Sequence, residues 1–244
     1  AAIDAHVAYR FELARLPLVR LTLIRRGPAD YVLIHVEQHY VHDGWSANLF
    51  IRELLDAYAA YARGETPALP PVLAQYRDYA RWQRSEAARA RYARHLAFWT
   101  AQLADVPYTL ALPTDRHRPD EPSYAGTQLR CELPPEIASR LRRFCASEGF
   151  TLYATMHAAY QIVLHRASGA DAFLIGSAVA NRRSRKSEGM LGMFVNMIPI
   201  RADVSGNPSY RELLDRTAAT LSVSYEHEEL PFDLLVRAVR PRRA

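Results

Sequence analysis

The chain has 244 residues, of which 49% are hydrophobic and 23% charged, with a formal net charge of +5. That balance belongs to a globular chain able to bury a substantial core in one large domain or two lobes, and no apolar stretch approaches the ~20 residues a membrane-crossing helix needs. Cys131 and Cys145 form neither a CxxC pair nor a disulfide framework, so a reducing, cytoplasmic setting without a membrane is expected. Taken in order, Ala1 to Leu13 reads as an amphipathic segment with a short helix, and Pro17 stops any helix running further. Val19, Leu21 and Leu23 alternate with Arg20 and Thr22, which predicts a strand ending at Arg25-Arg26-Gly27-Pro28. Those turn residues join it, as an antiparallel pair, to a second strand over Tyr31–Gln38, whose period-two pattern gives it one core face. Leu49, Phe50, Leu54, Leu55, Tyr58 and Tyr61 then recur at helical spacing, with Ser46 expected as the N-cap and Gly64 as the stop. The three prolines between Glu65 and Pro71 read as a linker.

Tyr76 to Leu103 predicts one long helix or two joined ones, with Tyr76, Tyr79, Trp82, Tyr92, Leu96, Trp99 and Leu103 on an apolar face. The four prolines from Pro107 to Pro122 mark a candidate crossing between lobes. A strand is expected at Thr127–Leu133 and a helix after Pro134-Pro135. A longer helix, Leu152 to Arg166, should turn Met156, Ala159, Tyr160 and Val163 inward. Phe173 to Val179 reads as a fully buried strand, and Gly189 to Arg201 as a glycine-bearing loop entering another strand. Helices are expected over Tyr210–His227 and from Pro231 onward. The basic clusters Arg182-Arg183-Ser184-Arg185-Lys186 and Arg240, Arg242, Arg243 come without a base-stacking motif or recognition helix. They predict a solvated loop or a surface for an acidic protein partner, with no nucleic acid.

The most informative stretch is Gln38-His39-Tyr40-Val41-His42-Asp43-Gly44-Trp45-Ser46, where a strand hands over to a helix. A histidine there can take a proton near neutrality, Asp43 lies four residues on, and Gly44 is expected to permit the turn. Buried packing of His39 and helix capping by Asp43 is the competing reading. His35, His39 and His42 raise a metal reading, but His42 leaves the shared face and no carboxylate or cysteine set completes a tetrahedral site, so no metal is expected.

This stretch resembles the HHxxxDG signature of condensation domains from non-ribosomal peptide synthetases, sharpened by the Trp45-Ser46 that follows. Three further motifs occur in the family's order. Tyr76 to Gln83 is similar to YxDFAxWQ, Gly192 to Asn196 to GxFVN, and His227 to Asp233 to HQDxPFE. Leu112 to Arg116 and Val179 to Arg182 are also typical phrases. The resemblance implies an α/β fold with mixed sheets: two chloramphenicol-acetyltransferase-like lobes, each a mixed β-sheet packed with helices. Residues 1–113 would be the remainder of an N-terminal lobe carrying the signature loop and 114–244 part of a C-terminal lobe, with both ends of the fold incomplete and an apolar face exposed in consequence.

The activity implied is amide formation by attack of an amine on a carrier-bound thioester. Donor and acceptor carrier domains and neighbouring synthetase domains would be the partners. No cofactor would be bound intrinsically, the substrates arriving on phosphopantetheine arms. His39, the signature's second histidine, would accept or orient the amine proton. Asp43 would brace the loop through an arginine, with Arg182 one candidate. The Gly44 N–H would face the developing oxyanion. Gln38, Trp45, Ser46 and Asn196 are the substrate-binding candidates these motifs carry. Gln38 departs from the signature's first histidine but keeps hydrogen-bonding capacity, and His39 excludes the heterocyclisation variant with its aspartates. Ester formation, a free-standing acyltransferase, one using coenzyme A, and a silent module that recruits partner proteins are the alternatives.

Overall fold

The computed structural model describes residues 2–240 except 117, 118, 120, 122 and 124, so Pro122, Arg242 and Arg243 lie outside the described residues. In chain order the elements are α1 (Ala2–Val7), β1 (Val19–Arg25), β2 (Tyr31–Glu37), a 3-10 turn (His39–Val41), α2 (Gly44–Ala62), α3 (Tyr76–Gln83) and α4 (Glu86–Gln102). There follow α5 (Pro135–Glu148), α6 (Leu152–Ser168), β3 (Ala172–Val179), α7 (Arg185–Glu188), β4 (Asn196–Asp203), α8 (Tyr210–Glu226) and α9 (Phe232–Val239). The expected combination of sheet and helices is present, each sheet among the described residues being one antiparallel pair. No helix of the described residues is long and apolar enough to cross a membrane.

Two compact units share the chain. One comprises Ala1–Ala90 and Ala180–Val195, the other Arg91–Val179 and Asn196–Ala244. Compactness therefore divides the chain inside α4 and at both ends of the 180–195 segment. The proline-bearing stretch from Pro107 lies within the second unit.

In the first unit β1 and β2 pair from Val19 opposite Glu37 to Arg25 opposite Tyr31. Ile34 is buried, whereas Leu21, Leu23 and Leu33 are exposed, Leu23 and Leu33 being cross-strand partners. α2 buries Ser46, Leu49 and Ala60 and leaves Leu55, Tyr58 and Tyr61 exposed. Apolar side chains are thus exposed on both this hairpin and this helix. Asp43, not Ser46, caps α2: its carboxylate accepts from the Ser46 N–H at 2.8 Å, since a side chain preceding the helix reaches the third amide best. The aromatic stretch is two helices because Ser85 intervenes and its hydroxyl accepts from the Ala88 N–H at 3.2 Å, starting a new helix.

The second unit is built on β3 and β4, paired from Ala172 opposite Asp203 to Val179 opposite Asn196. β4 packs against α8, which packs against α6. Leu213 and Leu214 of α8, with Phe173, Ile198 and Ile200, are almost wholly buried, each worth about 1.5–3 kcal/mol relative to exposure. Three expectations need correction here. β3 is buried on one face only, since Gly176 and Ala178 are exposed while Phe173, Ser177 and Val179 are buried. α6 turns inward Ala154, Thr155, His157, Ala158, Gln161 and Leu164, and leaves Met156, Tyr160 and Val163 exposed. Small side chains permit close packing there, and the Gln161 amide nitrogen lies 2.9 Å from His157 Nδ1 and donates to Thr217 Oγ1 at 3.0 Å, so these buried polar atoms have partners, while His157 Nε2 has none among the described residues. Residues 127–133 form no strand: every one is exposed and none joins a backbone ladder.

Candidate active site

β2 ends at Glu37, and the chain is turned at once. The Gln38 N–H donates to Leu18 O at 3.0 Å, tying the turn to the hairpin, and Gln38 Oε1 accepts from the Tyr40 N–H at 2.8 Å. The turn presents His39 as an exposed side chain. Its Nδ1 lies 3.1 Å from His42 O. A carbonyl can only accept, so Nδ1 carries the proton and Nε2 of the neutral ring keeps a lone pair.

Beneath this turn Asp43 is 3% exposed and Ser46 is 1% exposed, so both belong to the support and not to an open surface. One Asp43 oxygen accepts from Ser46 N–H and from Arg182 at 3.0 Å; the other accepts from the N–H groups of Phe194 at 2.9 Å and Val195 at 3.2 Å. Burial pushes the Asp43 carboxyl up, but these donors, with the Ser46 side chain, outweigh it and hold the group below its ordinary value. Arg182 is the anticipated partner and does more than pair. Its guanidinium also donates to Ser46 Oγ at 2.7 Å, to Met190 O at 2.7 Å and to Ser187 O. Ser46 Oγ bonds both the carbonyl and the N–H of Gly192. The signature loop and the 180–195 segment are therefore locked together through the Asp43–Arg182 pair, the backbone N–H groups that Asp43 accepts and the Ser46 hydroxyl.

Gly44 is the first residue of α2, with no positive φ, and a Cβ there would meet no described atom within 4 Å. The turn does not need glycine, contrary to expectation; what its hydrogen leaves is open space beside the first amides of α2, which have no intrahelical acceptor. Gly192 is the glycine geometry demands: a Cβ would lie 2.1 Å from Tyr76 Cδ2. Tyr76 is seated there by donating its hydroxyl to Met193 O at 2.7 Å and by edge contact with Phe194. Trp45 is half-exposed and donates its indole N–H to Glu188 O at 3.0 Å.

The sequence candidates are brought together unequally. Gln38, His39, Asp43, Gly44, Trp45 and Ser46 share the first unit, whereas Asn196 belongs to the second. There its amide donates to Glu228 O and Leu230 O, each at 2.7 Å, and accepts from the Phe232 N–H at 3.1 Å. The hydrogen-bonding atoms of Asn196 and Ser46 are thus engaged within the protein. Sequence reasoning missed Glu37, whose carboxylate lies 3.3 Å from His35 Nε2 and 3.1 Å from His42 Nδ1. The period-two face shared by His35 and Glu37 held that signal. Among the described residues no group of three or more His, Cys, Asp or Glu is disposed to hold a metal ion.

A model of the Condensation domain family matches residues 1–244 of this chain. The chain belongs to the condensation-domain family. One of the linear gramicidin synthase proteins of Brevibacillus parabrevis is 38% identical over 234 residues, which are 96% of this chain and 5% of that protein. The chain thus spans a small part of the curated relatives it matches. Among solved structures, the X-domain in its complex with OxyB from teicoplanin biosynthesis aligns over 100% of this chain and 55% of its own, at 25% identity and a TM-score of 0.87. The first condensation domain of the CDA synthetase aligns over 98% and 52%, with a TM-score of 0.81 at 24% identity, a likeness of fold alone. In this condensation domain the family's signature loop is thus the exposed turn at His39, braced from below by Asp43 and Arg182.

Proposed function

We propose that this condensation domain forms an amide between an acyl or peptidyl thioester, carried on the phosphopantetheine of a donor carrier domain, and the amine of an acceptor carried likewise. The observation that supports it is the His39 Nδ1–H held by His42 O, which leaves Nε2 as an exposed acceptor. The amine nitrogen attacks the thioester carbon, the carbonyl oxygen takes the electron pair as an oxyanion, and the amine proton is drawn to Nε2. Collapse breaks the carbon–sulfur bond, and the proton passes to the departing thiolate. The first amides of α2, at Gly44, are suited to the oxyanion. Asp43 supports the loop and takes no proton in this scheme. On this reading residues 1–113 and 114–244 are parts of the N- and C-terminal lobes, with neighbouring synthetase domains as partners in a cytoplasmic setting.

In the complete polypeptide, His39→Ala is expected to lower turnover of carrier-loaded substrates by ~10²–10⁴-fold with little change in melting temperature, and Gln38→Ala to cost much less. Wild-type turnover in the His39→Ala protein, with contaminating enzyme ruled out, would remove His39 from the chemistry. The likeness to the X-domain seen in complex with OxyB supports a second reading, a module that recruits a partner protein. That reading predicts no turnover by the wild type with any carrier-bound or coenzyme A thioester.

A further inference from the structure

Behind His39 lies a set of side chains that the proposed chemistry does not use. Glu37, at the end of β2, is mostly buried and points its carboxylate at two imidazoles, His35 at 3.3 Å and His42 at 3.1 Å. The approach to His42 Nδ1 is out of line for a strong hydrogen bond. It nevertheless favours a proton on that nitrogen, because a carboxylate can only accept. The His42 ring lies nearly parallel to that of His39, with centroids 5.4 Å apart and planes 19° apart, and the His42 carbonyl holds the His39 Nδ1–H. Strand, carboxylate, second imidazole and exposed imidazole thus stand in succession, the carboxylate acting on the second imidazole as a close charge.

The His42 ring also has somewhere else to go. A cavity of about 170 Å³ adjoins it, lined mainly by apolar groups, among them Val19, Phe50 and Leu191. Nothing apolar in that lining would hold an imidazole at one angle, so the carboxylate is what keeps the ring against His39.

We propose that Glu37 and His42 are positioning residues for His39, fixing the plane and tautomer of its ring from the side away from the substrate. The inference rests on the catalytic reading of His39. Its structural half, that Glu37 governs the His39 ring through His42, can be tested without activity. In the full-length protein labelled with 15N-histidine, with His39 resonances assigned by comparison with His39→Ala, the wild type should show His39 as the Nδ1–H tautomer. Glu37→Ala should shift it toward a mixture of tautomers. In kinetics, Glu37→Ala and His42→Ala should each lower kcat about tenfold with KM unchanged, the size expected when a reacting group loses its alignment. His42→Phe, which keeps the carbonyl but gives the carboxylate nothing to hold, should lose about as much as Glu37→Ala. Glu37→Ala should cost little further in the His42→Phe background, because the carboxylate then has no second imidazole to hold. An unchanged His39 tautomer in Glu37→Ala, or additive kinetic losses in the double variant, would overturn the proposal. Wild-type turnover in His39→Ala would instead overturn the catalytic reading while leaving the spectroscopic result to decide the positioning.

Discussion

Asp43 shows how the meaning of a residue depends on its partners. A carboxylate beside a histidine in a signature loop invites a catalytic role, yet all its neighbours are donors: Ser46 N–H, Phe194 N–H, Val195 N–H and the Arg182 guanidinium. Asp43→Ala removes both the helix cap and the countercharge of a guanidinium that is 1% exposed. Leaving one member of a buried pair uncompensated costs about 3–5 kcal/mol. We therefore expect Asp43→Ala to lower the melting temperature far more than His39→Ala does, and equal melting temperatures for the two would argue that Asp43 acts in the chemistry. The sign of the pH effect follows from its depressed pKa: the stabilisation is present above the ordinary carboxylate range and is lost as pH falls through the lower folded value. The Asp43–Arg182 pair was legible in the sequence because both residues stand in recognisable motifs. Glu37 was less so, since a glutamate on a strand carries no motif: the period-two pattern sets it beside His35, but His42 reaches it only through the 3-10 turn at His39–Val41.

At the scale of elements, α6 was legible as a helix but not in its orientation. Leu152, Tyr153, Met156, Tyr160 and Val163 make an apolar stripe as convincing as the one actually buried. The choice between them was settled by α8, whose Thr217 accepts from Gln161, a tertiary fact that periodicity cannot carry. The contact between α4 and the segment after α8 depends on titratable groups in the same way. His95 is 1% exposed, with its Nδ1 3.0 Å from His227 Nδ1, and two nitrogens at that distance share a single proton. Trp99 donates to His227 O, and Phe98 stacks on the His227 ring. Burial pushes both histidines below their ordinary value. The charges facing them are His227, Glu229 and Arg94 for His95, and Arg94 and Glu226 for His227, while Arg91 pairs with Glu229. His157 is pushed down by burial as well. The unfolded chain therefore takes up protons first as pH drops below about 6.5, so stability falls with pH until the folded histidines are also protonated. We expect the urea midpoint to decline from pH 7.5 to pH 5, and His95→Gln to flatten that decline without abolishing it. An identical slope in the variant would mean that the pair makes no contribution.

On the scale of the whole molecule, the net charge of +5 is unevenly exposed. Arg182, sequence neighbour of the other cations in its cluster, is consumed by the Asp43 network, while Arg183, Arg185 and Lys186 are exposed around the start of α7. The short helix that presents them is fixed by Ser184 and Ser187, whose hydroxyls each accept from the other's N–H at 3.2 Å, so these cations stand on an ordered turn. On the proposed function, a carrier domain with an acidic surface must find this protein repeatedly, and exposed cations on an ordered turn favour such encounters through long-range attraction. Charge reversal at Arg183, Arg185 and Lys186 together is expected to raise KM for a carrier-bound substrate about tenfold at low salt, leaving kcat nearly unchanged, because rim charges act mainly on association. The same variant should lose most of the salt dependence of kcat/KM, since exposed charges are screened beyond about 8–10 Å at moderate ionic strength. The small-molecule thioester analogue of the donor provides the control, because it carries no acidic surface and should be processed equally by both proteins. Unchanged KM for the carrier-bound substrate would make this cluster a solvated face and move the search for the docking surface to the arginines between Arg81 and Arg94.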